Sequence, residues 1–550
     1  MKRALMLISL LLSFILLALS NTTAAVLPNL QADFQGLEIS ESQSHNEQWP
    51  PYIMSQGKDI RSLFCKDLDD PNCIKAPEIY APSHLPPCDG QLTINCIANV
   101  FAIDPNGNKL LGTFQKYIPD SSPRDYSANQ ALNLPQGRGM GGVWNIPGAV
   151  FDGASTNYFV SVLVTAHLNK PADTKISTQK FNIGSFEAAI TPVQEITGKF
   201  KPIYPFDSAN LSPDNVPIGV DPALNSQEYN PNCIVLGDGI CEVSREFPPN
   251  FRFGLTIIVG NQINGWFHGR ISKPTVATKS SIAGGYEIEI EASPVVVPMI
   301  KELIPTSQIS TELRNYLSSG MGQSYGGSYY MPGPTGDNAF EMARLFMPLL
   351  KDKATRSNSF WKARNLDFGS SNAVGACSSK NPELAGIVST NALIYSAGPP
   401  EFSATTQSIE YKLLSPHFKA DGSETIGTYD LLLKSDVARC IYGFSKAPVQ
   451  ASISVVGESG ESKVATASIS EKDGWMIFSA NGFTFSNPTV RVTLFQEAPT
   501  PTPTPMPTPK ASATSTKPVI RKSTITCLRG TLVKKVTAIK PTCPKGYRKK

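Results

Sequence analysis

The stretch YEIEIEAS places three carboxylates at alternate positions, Glu287, Glu289 and Glu291. Side chains on a strand alternate between faces, so the glutamates share one face and Ile288 and Ile290 the other. Two carboxylates on one face are the groups that retaining glycoside hydrolysis uses, one as nucleophile and one as general acid/base. Retention needs them about 5.5 Å apart, whereas rise alone sets Glu287 and Glu291 about 13 Å apart, so their side chains would have to incline together. The plainer reading, which the residues favour, is a half-exposed antiparallel strand with Ile inward and Glu outward, paired with Arg270 or Lys273.

The row resembles the ExDxE strand of the jelly-roll family of retaining beta-glucanases, whose outer two carboxylates are nucleophile and general acid/base. That resemblance implies those roles for Glu287 and Glu291. It covers five residues, and Glu289 stands where the family has Asp.

Other literal motifs lack the context their chemistry needs. Gly137, Gly139 and Gly142 in GRGMGG satisfy GxGxxG, but VWNIPG follows instead of a helix whose N-terminus could receive a pyrophosphate. Ser324 in GQSYG satisfies GxSxG, yet a nucleophile elbow needs a strand before and a helix after, and GSYYMPGP cannot be helical. Asp67, Asp69 and Asp70 in CKDLDDPNC could touch calcium, but Pro71 falls where the EF-hand pattern needs a ligand and the loop glycine is missing. A solvated disulfide loop is the expectation there. Tyr325, Tyr329 and Tyr330, with Trp266 beside His268 and Arg270, would form a glycan-stacking surface only if exposed. No CxxC occurs and the five histidines are isolated, so neither metal nor cofactor is expected.

The elements that must position these residues begin after a secretory signal. Lys2 and Arg3 precede an apolar run from Ala4 to Leu19, and Ala24 and Ala25 offer a small-residue cleavage site. The run is shorter than the roughly 20 residues that span a bilayer, and no later stretch is long and apolar enough. No transmembrane segment is expected after cleavage, and the chain reads as secreted, extracellular or wall-associated. Ten cysteines then read as a disulfide framework. Cys65 with Cys73, Cys88 with Cys96 and Cys233 with Cys241 share one spacing, which favours local pairing. Cys377 with Cys440 and Cys527 with Cys543 complete the set, although crossed pairing among the first four is not excluded by sequence.

Short apolar runs alternate with turn residues, as in NCIANVFAI, DPNGN, KLLGTF, a hairpin around Asn106 and Gly107. The fold class is therefore mainly β, with antiparallel β-sandwiches in several domains. Ile309, Leu313, Tyr316 and Leu317, then Ala339, Ala343, Phe346 and Leu350, recur at helical spacing, and Pro348 should end the second helix. They read as a small insertion over one sheet. The expected domains are a signal peptide at 1–25, a β-rich domain at 26–198, a second at 199–404 with the helical insertion at about 300–365, and a β-sandwich at 405–497. In that last domain ASISVV and KVATASIS flank GESGES as neighbouring strands. A Pro/Thr-rich linker at 498–523 favours extended polyproline II. A basic two-cysteine hairpin follows at 524–550.

From Lys510 to Lys550 there are twelve Lys and Arg and no acid. Without these and Lys2 and Arg3, 35 basic residues face 45 acidic ones, so the body carries a net charge near −10. TITCLRG and TLVKKVTAI read as two strands stapled by Cys527 and Cys543. With Thr526, Cys527, Arg529, Gly530, Lys534, Lys535, Val536, Thr537, Pro541, Cys543, Pro544, Gly546 and Tyr547, the end resembles a short module that closes exported actinobacterial surface proteins. GWFHGR and SDVARCIYGF are similar to segments of the same proteins. The resemblance implies export and surface display and carries no activity. The expected function is a cell-surface or cell-wall-associated binding or structural protein. It would be retained on a wall polymer or other surface polyanion by Arg529, Lys534, Lys535, Lys540, Lys545, Arg548, Lys549 and Lys550. A glycan is a further candidate partner and nucleic acid is not. The alternative is a secreted glycan hydrolase using the glutamate row.

Overall fold

The computed structural model describes residues 34–41, 51–57, 60–118, 120, 124–152, 154–197, 233–237, 240–263, 265–282, 284–318, 324–325, 329–330, 333–366, 373–378, 380, 384–445, 450–457, 462–463, 466–485, 489–495 and 521–550. The signal peptide and most of the linker lie outside these residues. The chain divides into two compact units, Met1–Gln496 and Glu497–Lys550. It is mainly β, with large antiparallel sheets and a few helices.

In the first unit, 22 strands join one branched hydrogen-bonded network and six more form a second sheet. Long strands that change partners hold the network together. The strand Gly265–Ser280 pairs through Trp266–Arg270 with Arg356–Leu366, then from Ile271 with Tyr286–Pro305 across a register shift at Ser272/Thr275. At that shift Lys273 takes φ of 50°, the left-handed region that a β-bulge uses to turn a strand. Tyr286–Pro305 likewise serves Arg252–Val259, then Arg356–Leu366, then Phe34–Ile39. Two pairs depart from the antiparallel expectation, since Gly36–Leu37 runs parallel to Tyr329–Tyr330 and Gly265–Gly269 runs parallel to Leu384–Ser389. Gly386 is needed there, because a Cβ would meet the Trp266 ring at 2.3 Å. Ladders also cross positions 198 and 404. Asn182–Thr197 pairs with Arg356–Leu366, and Leu384–Thr390 pairs with Ile426–Lys434.

The expected hairpin at Asn106 and Gly107 is present, with Phe101 opposite Leu111 and Ile103 opposite Lys109. Helices Thr311–Ser318 and Asp337–Phe346 bury Leu313, Leu317, Ala339, Ala343 and Phe346 against Val297, Met299, Leu37 and Ile39. The insertion thus covers one face of the strands that end in Pro305 and Ile39, and its second helix stops two residues before Pro348. Near the end of the unit, Leu413, Val490 and Val492 from the smaller sheet pack with Leu431, Phe478 and Ala480 from the larger, as in a sandwich. Past GESGES the chain changes sheet: Ser462–Lys463 still pairs with Gln450–Val456, which also pairs with Thr489–Phe495, whereas Thr466–Lys472 turns back on Trp475–Thr484 through Asp473 and Gly474. Asp-Gly at positive φ is the sequence that two-residue hairpin turns require.

Among the described residues, four disulfides join Cys65 to Cys73, Cys88 to Cys96, Cys377 to Cys440 and Cys527 to Cys543, with Cα separations of 5.8, 4.9, 5.8 and 5.6 Å. The side chains of Cys233 and Cys241 lie outside the described residues, and their backbones sit on adjoining antiparallel strands.

Candidate functional site

The C-terminal unit is a three-stranded sheet. Ser523–Arg529 pairs antiparallel with Leu532–Ala538 on one side and Arg548–Lys549 on the other. Gly530, at φ of 59°, makes the turn between the first two strands. Cys527 is fully buried beneath its bond to Cys543, and it is the unit's only buried apolar residue among those described. So small a sheet has no apolar core to hold it, and the covalent staple supplies the constraint instead.

Directly opposed residues share a face. Cys527 opposes Lys534 and Lys549, while Leu528 opposes Val533 and Arg548, with Lys535 on that second face across from Thr526. Cations therefore project from both faces. Residues 521–550 hold ten Lys and Arg and no acid, and none of the ten forms an ion pair among the described residues. Leu532, Val533 and Ile539 are exposed beside them, at 61%, 63% and 53%. A positive, unneutralised surface of this kind attracts polyanions at long range and releases them as salt shortens the Debye length.

The glutamate row of the body is otherwise engaged. Lys279 pairs with Glu287 at 2.9 Å, Lys109 with Glu289 at 3.3 Å and Arg252 with Glu291 at 2.7 Å, while Thr256 Oγ1 donates to Glu289 at 2.9 Å. Ile288 and Ile290 are buried on the opposite face. The strand is the half-exposed one expected, but its cationic partners are not those expected. Lys273 contributes only its carbonyl, which accepts from Arg252. Arg270 is buried elsewhere, at 2% exposure, where its Nε and Nη2 donate to the two oxygens of Glu41 at 2.7 and 3.0 Å.

Sequence inspection missed that second constellation because Glu41 lies 229 residues from Arg270. Arg270 also donates to the carbonyls of Thr390, Ala392 and Leu393, and its guanidinium lies 4.4 Å from the Tyr395 ring centroid. His268 stacks on Tyr395 at 3.8 Å. Burial alone would raise the Glu41 carboxyl, but Arg270 outweighs it and holds the group below the ordinary carboxylate range. Burial, then the charges of Arg270, Arg364 and Lys362, push the His268 imidazole well below its ordinary value and keep it neutral. All five N–H donors of Arg270 are spent on the fold, so its role is to lock strands together.

The other motifs have structural explanations. After Gly142 comes the strand Gly142–Asn145, so GRGMGG offers no helix N-terminus to a phosphate. Ser324–Tyr325 pairs with Tyr329–Tyr330, and those four side chains lie outside the described residues. Asp70 caps the helix Pro71–Lys75 through Asn72 N at 2.8 Å, and Asp69 pairs with Lys175 at 2.8 Å. Among the described residues no group of three or more His, Cys, Asp or Glu could hold a metal ion. Trp266 is fully buried, with Nε1 donating to Ser378 Oγ at 2.8 Å, so it cannot serve a glycan surface. Among the described residues, no helix is long and apolar enough to cross a membrane. No protein-family model matches the chain, and neither does any curated protein or solved structure.

Proposed function

We propose that this is an exported binding or structural protein, retained at the cell surface by its C-terminal unit on an anionic wall polymer or other surface polyanion. The observation that carries the reading is the stapled sheet with ten cations, no acid and basic residues on both faces. Each Lys or Arg near an anionic surface contributes about 1 kcal/mol, so several acting together suffice for retention without a shaped pocket. The disulfide framework fits the oxidising side of a membrane, where such bonds persist. An acidic body would be repelled by the same surface, and the Pro/Thr-rich stretch before the tail has the composition of a semi-rigid spacer. Deleting residues 510–550 should release the protein into the medium, and moderate salt should wash the intact form from cells. Equal retention of truncated and intact protein refutes the reading.

A further inference from the structure

The body contains a cleft that the tail does not explain. It forms where the Ser272/Thr275 bulge, the stretch Ser293–Pro298 and the loop entering Ile426–Lys434 converge. Its volume of about 360 Å³ lies within the range of small-ligand sites, roughly 300–1,000 Å³. Two lysines line it, Lys273 and Lys419, and no acidic residue does. Neither lysine forms an ion pair within 4 Å among the described residues, and the acids that act on them at longer range, Asp430 on Lys273 and Asp421 on Lys419, lie outside the lining. An acid-free lining with two cations gives the cleft a positive wall.

Lys273 is also mounted with unusual care. Its positive φ is a conformation that a side chain with a Cβ takes only under constraint, and such strain collects at functional positions. The constraint comes from Asp430, which is 1% exposed. One carboxylate oxygen accepts from Lys273 N at 2.8 Å and Ser272 Oγ at 3.3 Å, and the other accepts from Ser479 Oγ. Burying a carboxylate costs free energy, and this one is spent on fixing the backbone from which Lys273 springs. The rest of the wall is of two kinds. Ser293 and Ser357, both half-buried, bring hydroxyls to the wall. Val296 and Ile426, 48% and 45% exposed, add aliphatic surface beside them.

We infer that this cleft binds one anionic saccharide unit, with its carboxylate or phosphate held by Lys273 and Lys419, its hydroxyls facing Ser293 and Ser357, and its apolar ring face on Val296 and Ile426. The site is separate from the basic tail and stands whether or not the tail retains the protein. The test is calorimetry on the full mature chain at physiological salt. The probes are digalacturonate for the carboxylate arm, glucose 6-phosphate for the phosphate arm, and cellobiose as a neutral control. One acidic sugar should bind with 1:1 stoichiometry, and cellobiose should bind more weakly by roughly tenfold, the worth of one charge-assisted contact. Lys273→Asn, which tolerates positive φ, and Lys419→Gln, on a separate loop, should each cost a similar factor, while Lys534→Gln with Lys535→Gln in the tail should change nothing. The inference is overturned if neither acidic sugar binds, if the two cleft variants bind as well as the parent, or if the tail substitutions abolish binding. Should Lys273→Asn fail to fold, Lys419→Gln alone decides the matter.

Discussion

Replacing Glu41 by Gln tests whether the buried ion pair locks the body. The substitution preserves shape but removes the charge and turns an amide donor toward Arg270, which accepts no hydrogen bonds. Glu41 receives two guanidinium bonds at 2.7 and 3.0 Å, its side chain is 11% exposed and that of Arg270 2%, so solvent cannot compensate for the loss. Breaking one partner of such a pair costs about 3–5 kcal/mol. Three backbone carbonyls still accept from Arg270, which places the expected loss near the lower end, about 3 kcal/mol. The measurement is urea unfolding followed by tryptophan fluorescence, repeated in an Arg270→Met background. There the same Glu41→Gln change should cost under about 1 kcal/mol, because no stranded cation remains. The acid limb supplies a second readout. A carboxyl held below its unfolded value contributes stability that is complete above that value and is lost as pH falls through the folded one. Glu41→Gln should therefore remove part of the stability loss below about pH 4.5. A loss under about 0.5 kcal/mol, or an equal loss with and without Arg270, would refute the locking argument.

His268 titrates at higher pH with the same sign. Its folded value is depressed, so the unfolded chain binds a proton that the folded chain refuses, and stability falls as pH drops below about 6.5, by up to about 1.4 kcal/mol per pH unit. His268→Phe, which can keep the stack on Tyr395, should flatten this slope between pH 6.5 and 5 in thermal unfolding. Removing the disulfides one at a time should rank with loop length. The bond from Cys377 to Cys440 spans 63 residues and should contribute about 4 kcal/mol, against about 2.5 kcal/mol for Cys65 to Cys73, which spans 8. Paired Cys→Ala substitutions compared by denaturant midpoint give the order.

What could be read from sequence was local or periodic. The hairpin around Gly107, the helical recurrence of Leu313 and Leu317 and the short cysteine spacings each depend on residues within a few turns of one another. Arg270 was placed opposite the glutamate row because strand alternation is the only partner rule available locally, and its true partner comes from the far N-terminal segment. Trp266 could serve a glycan surface only if exposed, but its strand is paired on both edges and every residue from Gly265 to Ile271 is buried, so no period of two remains to mark an outer face. KVATASIS shows the same limit: its Lys463 pairs back across GESGES while Thr466–Lys472 joins the other sheet, because alternation identifies a strand but not the sheet that receives it. Of the cleft, Lys273 was visible only as an ordinary surface cation. Its strained backbone and the buried Asp430 that holds it belong to segments 157 residues apart.

The last strand of the body, Thr489–Phe495, lies inside its sheet, bonded to Ser408–Leu414 on one edge and Gln450–Val456 on the other. Any tension applied through the chain beyond Gln496 enters the body at Phe495. A terminal strand on a sheet edge could peel away one hydrogen bond at a time, but here Thr489–Val492 is bonded on both sides, while Thr493–Phe495 is held by Gln450–Ser452 alone. A pull along its axis meets one ladder first and two beyond it, so the rupture force rises where bonds are loaded in parallel. The body is thereby fastened to its own tether at a mechanically strong point, on the strand next to the linker.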